Sequence, residues 1–123
     1  MAQCILTVDD DAIVIALAKH TLKNKGYEVI SAQNGEEALA ALKKKIPDLI
    51  LLDVQMPVMD GYTFIMKKSA VPEYANIPVI VLTSMEKTEP LFKRHGVKAY
   101  LLKPLNPESL LNKIQSILPP ATT

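Results

Sequence analysis

The 123-residue sequence has a single cysteine, no long apolar run and almost no excess of either charge. With Cys4 alone, no internal disulfide can form, and its position in the first apolar run reads as a buried thiol without a role. No segment approaches the roughly 20 apolar residues that span a bilayer, and Met1-Ala2-Gln3-Cys4 carries no basic region of the kind that opens a signal peptide. A soluble cytoplasmic protein without membrane contact is therefore expected. The 14 basic and 13 acidic residues are mixed along the chain and sum to +1, which leaves no basic footprint for direct nucleic acid binding. No glycine-rich loop follows the first apolar run, which argues against a nucleotide phosphate cradle. No internal repeat is present either. What remains is a chain with 49% hydrophobic residues, enough for one domain with a real core and too short for a second.

Strand-like and helix-like segments alternate, the pattern of βα units around a parallel sheet. Val14, Leu17, Ala18 and Leu22 recur at helical spacing toward a stop at Lys25-Gly26. Glu28 to Ser31 reads as a short second strand. Asn34 and Glu37 resemble a capping box opening a helix through Leu42, which Lys43, Lys44 and Lys45 end as a solvated face. Ile46 to Leu52 reads as a buried third strand of continuous aliphatic character. Pro57 and Gly61 frame a turn before a helix from about Tyr62 to Ala70, and Pro78 opens a fourth strand. Asn106-Pro107 forms an N-cap and first turn, after which Leu110, Leu111, Ile114, Ile117 and Leu118 make one apolar stripe.

The polar residues at the ends of the apolar runs are the informative ones. Cys4 to Val8 runs into Asp9, Asp10 and Asp11; Leu49 to Leu52 into Asp53; Val79 to Leu82 into Thr83 and Ser84; Tyr100 to Leu102 into Lys103. Ligands of open parallel sheets sit outside the carboxyl ends of the strands, so these groups are expected to converge on one site. VDDD at 8–11, LLDVQMPVMDG at 51–61, VLTS at 81–84 and YLLKP at 100–104 resemble the receiver domain of bacterial two-component response regulators over nearly the whole chain. That resemblance implies a flavodoxin-like α/β fold: one doubly wound five-stranded parallel sheet in the order 2-1-3-4-5 with five helices. It implies a receiver domain over residues 1–118, with 119–123 a tail or linker stub. It also implies that Asp53 accepts a phosphoryl group from a histidine kinase or phosphotransfer protein, that Mg2+ is required, and that affinity for a downstream protein partner then changes.

The chemistry supports the same assignment independently. Clustered carboxylates repel unless they are protonated, paired with lysine or neutralised by a cation. Mg2+ prefers hard oxygen ligands and keeps several waters, so Asp10, Asp53, the backbone carbonyl of Gln55 and waters, one held by Asp9, would complete a shell. Asp11 is better explained as a helix N-cap. The Asp53 carboxylate can attack phosphorus to give an aspartyl phosphate, and Lys103 can stabilise the transferred group. The Thr83 hydroxyl and the backbone N–H of Ser84 can bond phosphoryl oxygens only after transfer, which makes them a switch. Tyr100 matches the aromatic switch position of the family but can equally serve to cover apolar surface. Taken singly, Asp9 and Asp10 would be a capping cluster, Thr83 a loop hydroxyl and Lys103 a solvated charge. His20 and His95 fall away from the strand ends, and Met56 and Met59 read as loop packing.

Two departures from the family pattern stand out. The interval from Thr83 to Lys103 is short, and Pro90 confines the fourth helix to Glu89–Arg94 behind a loop from Met85 to Thr88. Lys103-Pro104 matches a family position where the peptide is cis. Two other classes remain open: a pseudo-receiver that works as an interaction module without phosphate, and a magnesium phosphohydrolase, for which Gln55 stands where an acid would be needed. No small-molecule turnover is expected. The chain can be a stand-alone receiver or a piece of a larger regulator.

Overall fold

A computed structural model describes residues 3–53, 61–83 and 97–118. Five strands, β1 (Cys4–Val8), β2 (Glu28–Ala32), β3 (Leu49–Asp53), β4 (Val79–Thr83) and β5 (Val97–Leu102), form one parallel sheet in the order β2-β1-β3-β4-β5. Among the described residues the helices are α1 (Ala12–Lys23), α2 (Gly35–Lys44), α3 (Gly61–Ser69), a single turn α4 (Pro72–Ala75) and α5 (Pro107–Ile117). The doubly wound order is the one expected. The proposed Glu89–Arg94 helix and the loop before it lie outside the described residues.

Strand periodicity sorts the core into two layers, because successive side chains leave opposite faces of the sheet. Leu6, Val8, Ile50, Leu52, Val79 and Val81 meet Ala38 and Leu42 of α2 and Phe64 and Ile65 of α3. Ile5, Leu49, Leu51, Ile80 and Leu82 face the other way, against Ala18 and Leu22 of α1 and Leu110 and Ile114 of α5. Both faces are covered, so the central strands β1, β3 and β4 are buried at every position.

The helix starts follow the cap residues. Asp11 Oδ1 accepts from the Ile13 N–H at 2.9 Å, Asn34 Oδ1 from Glu37 N–H at 2.9 Å, and Asn106 Oδ1 from Ser109 N–H at 3.1 Å. Glu37 Oε1 reaches back past the cap to accept from the Gln33 N–H at 3.1 Å, a variant of the expected box. Gly26 sits at φ +88 in the turn into β2, where the left-handed region favours glycine.

Two sequence expectations need correcting, and one short element goes unforeseen. Ile46 does not belong to β3: it is 49% exposed, and the strand begins only at Leu49, after Pro47 and Asp48. Pro47 cannot donate a ladder hydrogen bond, and the Asp48 carboxylate instead takes the Cys4 N–H at 2.7 Å. The segment after α3 is not plain loop, since Pro72 opens the turn α4. β5 begins at Val97, three residues before the apolar run that marked it in the sequence.

Candidate functional site

The ladder register sets the site. Val8 pairs with Leu52, Asp53 with Leu82 and Thr83 with Leu102, so Asp9, Asp53, Thr83 and Lys103 emerge at the same end of adjacent parallel strands. The Lys103 N–H donates to the Thr83 carbonyl at 2.8 Å and ties the last two strand ends together. Beyond it, the Lys103-Pro104 peptide is cis, as expected.

One carboxylate oxygen from each of Asp9, Asp10 and Asp53 lies within 4.8 Å of the others. Asp9 is fully buried, Asp53 is 4% exposed, and Asp10 opens the cluster to solvent. Lys103 Nζ sits 3.1 Å from Asp9 Oδ2 and 3.4 Å from Asp53 Oδ2. Burial alone would lower the pKa of this ammonium, but the hydrogen bonds and charges of Asp9 and Asp53 outweigh it and hold the value above that of an ordinary lysine. Asp9 Oδ1 also accepts from the Asp11 N–H at 2.9 Å, so both of its oxygens face donors. Against the three carboxylates stands one ammonium within ion-pair distance among the described residues, which leaves two negative charges in excess. An oxygen-only donor set carrying that charge fits a hard divalent cation.

Thr83 is 4% exposed at the end of β4. Tyr100 lies on β5 with its ring against the layer that contains Val79, Val81 and Phe64, and its buried hydroxyl finds no hydrogen-bond partner among the described residues. Cys4 is buried, and its thiol is pushed up by burial and then by Glu28, in keeping with an inert core group. His20 stands exposed on α1, its Nε2 3.3 Å from Asn24 Nδ2 and away from the cluster. Ser84, Gln55, Met56, Met59 and His95 lie outside the described residues. One charged residue was missed in the sequence. Lys68, the second of two lysines ending α3, is fully buried rather than solvated. Its neighbour Lys67 is exposed, and only the helical phase relative to Phe64 and Ile65 separates the two.

An α/β domain that gathers three carboxylates and a lysine at the carboxyl edge of its parallel sheet has the layout of doubly wound domains whose ligands bind there. Residues 5–115 match the response regulator receiver domain, and the chain belongs to that family of two-component signalling domains. It is similar to the chemotaxis protein CheY4 of Vibrio cholerae, with 38% identity, a TM-score of 0.86, and coverage of 96% of this chain and 100% of that one. It is 33% identical over 116 residues to protein PilH of Pseudomonas aeruginosa, covering 93% of this chain and 96% of PilH. It is 37% identical over 116 residues to the probable transcriptional regulator ycf27 of Pyropia yezoensis, covering 93% of this chain and 46% of ycf27. The chain thus spans about half the length of the first curated relatives it matches. Members of the family are signalling proteins rather than enzymes that turn over small molecules. Among the described residues, no helix is long and apolar enough to cross a membrane.

Proposed function

We propose that this chain is a phosphoacceptor, modified on Asp53 by a histidine kinase or phosphotransfer protein and thereby changed in its affinity for a downstream protein. The observation that carries this reading is the Asp53 carboxylate clustered with Asp9, Asp10 and Lys103, with Asp10 opening the cluster to solvent. A carboxylate oxygen of Asp53 attacks phosphorus; the new O–P bond forms as the donor's N–P bond breaks, and its electron pair leaves with the imidazole nitrogen. Lys103 balances charge on the transferred oxygens from a position already set by Asp9 and Asp53.

Asp10 and Asp53 would hold Mg2+ directly, with the Gln55 backbone carbonyl, while Asp9 would act through a water. The engagement of both Asp9 oxygens supports that division. Bound Mg2+ would supply the missing positive charge and withdraw electrons from the phosphoryl oxygens. After transfer, the Thr83 hydroxyl and the Ser84 N–H bond the phosphoryl group. Tyr100 would report the change: its buried hydroxyl has no partner among the described residues, which costs roughly 1–3 kcal/mol, so an arrangement that gives it one is favoured.

For the donor we infer a docking position on the adjoining rim. A groove of about 410 Å³ is lined by Asp11, Ile13, Val14, Leu17, Lys103, Pro104 and Leu105, and Ile13 is 78% exposed there. Lys103 lines both the groove and the acidic cluster, so a protein seated on it is next to Asp53. Residues 1–118 serve as the receiver unit and 119–123 as a tail or linker stub, in agreement with the match over 5–115 and the end of α5 at Ile117. The donors named would place the protein in the cytoplasm, and its mixed charge makes a protein rather than nucleic acid the output partner.

Incubation with acetyl phosphate and Mg2+ is expected to add one phosphoryl group by intact mass, and Asp53→Asn to abolish the gain. No gain in the wild-type protein would overturn this reading in favour of an interaction module that works without phosphorylation. Steady hydrolysis of small phosphate esters would instead mark a phosphohydrolase.

A further inference from the structure

The sheet has two edges of unequal character. β5 carries Lys98, and its ladder with β4 is interrupted between Val79 and Ile80; both are devices that discourage a further strand. β2 has neither. It runs Glu28-Val29-Ile30-Ser31-Ala32 in unbroken register with β1, and its one charge, Glu28, is neutralised by an ion pair with Lys45. Glu28 N–H donates to Gln3 and the Ala32 carbonyl accepts from Asp9, so alternation turns the N–H and C=O groups of Val29 and Ser31 to the open side. Among the described residues, no strand pairs with that side.

Beside this edge lies a groove of about 340 Å³ lined by Ile30, Ser31, Glu37, Ala40, Ala41 and Lys44. Glu37 and Lys44 are both exposed, two helical turns and about 10 Å apart on one face of α2. The exposed Ala40 and half-buried Ala41 lie between them, small enough for a close helix approach. A carboxylate and an ammonium so placed are complementary to themselves under a two-fold rotation.

We propose that the β2–α2 face is a docking surface for a second copy of this chain, joined through antiparallel β2 strands about a two-fold axis at Ile30. Val29 of one copy then exchanges both backbone hydrogen bonds with Ser31 of the other, twice over, and Ile30 faces its own counterpart. The same axis brings the α2 helices side by side and antiparallel, with each Glu37 opposite the Lys44 of the second copy. The acidic cluster lies at the strand ends and stays open, so the assembly does not depend on the reading of Asp53.

The test is sedimentation and light scattering of the unmodified protein from micromolar to millimolar concentration, with amide hydrogen exchange alongside. The mass is expected to rise from 13.5 kDa toward twice that value as the Val29 and Ser31 amides gain protection. Lys44→Glu and Glu37→Lys should each weaken self-association about tenfold, because each sets like charges opposite one another at two places. Mixing these two variants should restore association, since the heterodimer pairs every carboxylate with an ammonium. Glu37→Lys also gives up the bond to Gln33 N–H, so circular dichroism checks that both variants keep their helices. A monomer at every concentration would overturn the proposal. So would a dimer that ignores the charge reversals or leaves the Val29 and Ser31 amides exchanging freely.

Discussion

Lys68 is fully buried and Lys103 half-buried, yet their surroundings act on them in opposite directions. Lys103 has two carboxylates and stays charged beyond the ordinary lysine range. Among the described residues Lys68 has only the Ala75 carbonyl, 3.2 Å from its Nζ, and burial pushes its pKa down to about 8. The elements packed against α3 do carry charge, Glu36, Glu37, Lys43 and Lys44 on α2 and Glu73 on α4, but none pairs with it. A folded-state pKa below the unfolded value means that the unfolded chain binds more protons between about pH 8 and 10.5. The stability penalty of the charged amine is full below pH 8 and is relieved as pH rises through that window. Lys68→Met should therefore stabilise the fold at pH 7 by about 2 kcal/mol, and its advantage over wild type should shrink toward pH 10. Urea unfolding of both proteins across this range checks it; a constant difference would exclude the amine as the cause.

Element by element, what could be read from the sequence was whatever local chemistry decides. Asp11, Asn34 and Asn106 each cap the helix they announce, because a side-chain oxygen one to three residues from an amide needs no tertiary contact to find it. The β3 run was over-extended because an isolated Ile46 looks like core when its chain direction is unknown, and Lys68 was missed because phase around a helix depends on what lies opposite. That Asp9, Asp53, Thr83 and Lys103 share one edge was legible because parallel strands deliver their last residues there whatever the loops do. Which carboxylate Lys103 meets first was not legible, since 3.1 Å against 3.4 Å is set by side-chain geometry. Two substitutions separate the local from the tertiary. Asn34→Ala should lower stability by about 1 kcal/mol through loss of the cap. Ile46→Lys, at a position 49% exposed, should change it by less than about 0.5 kcal/mol in the same chemical unfolding assay.

At the scale of the whole molecule, the sheet edge that gathers the acids bears a stability cost and, on the proposed function, the phosphoryl chemistry as well. Among the described residues three carboxylates, two of them buried, meet a single ammonium, and their mutual repulsion opposes folding until a divalent cation or a partner answers it. Mg2+ should therefore raise the melting temperature, by the equivalent of about 2.7 kcal/mol at one hundred times its dissociation constant, and Asp10→Asn should remove most of that gain in a thermal scan. The donor, in contrast, must find the site from outside, and a small phosphodonor and a protein donor place different demands on the surface. On the proposed reading acetyl phosphate needs only Asp53 and its neighbours, whereas a phosphorylated protein would also seat on the inferred rim, where Ile13 is 78% exposed. Ile13→Glu puts a desolvated charge into that contact and should slow transfer from a phosphorylated donor protein about tenfold or more, while the rate from acetyl phosphate stays the same. Equal slowing with both donors would place Ile13 in the chemistry itself. Equal rates with the donor protein would move the docking surface away from α1.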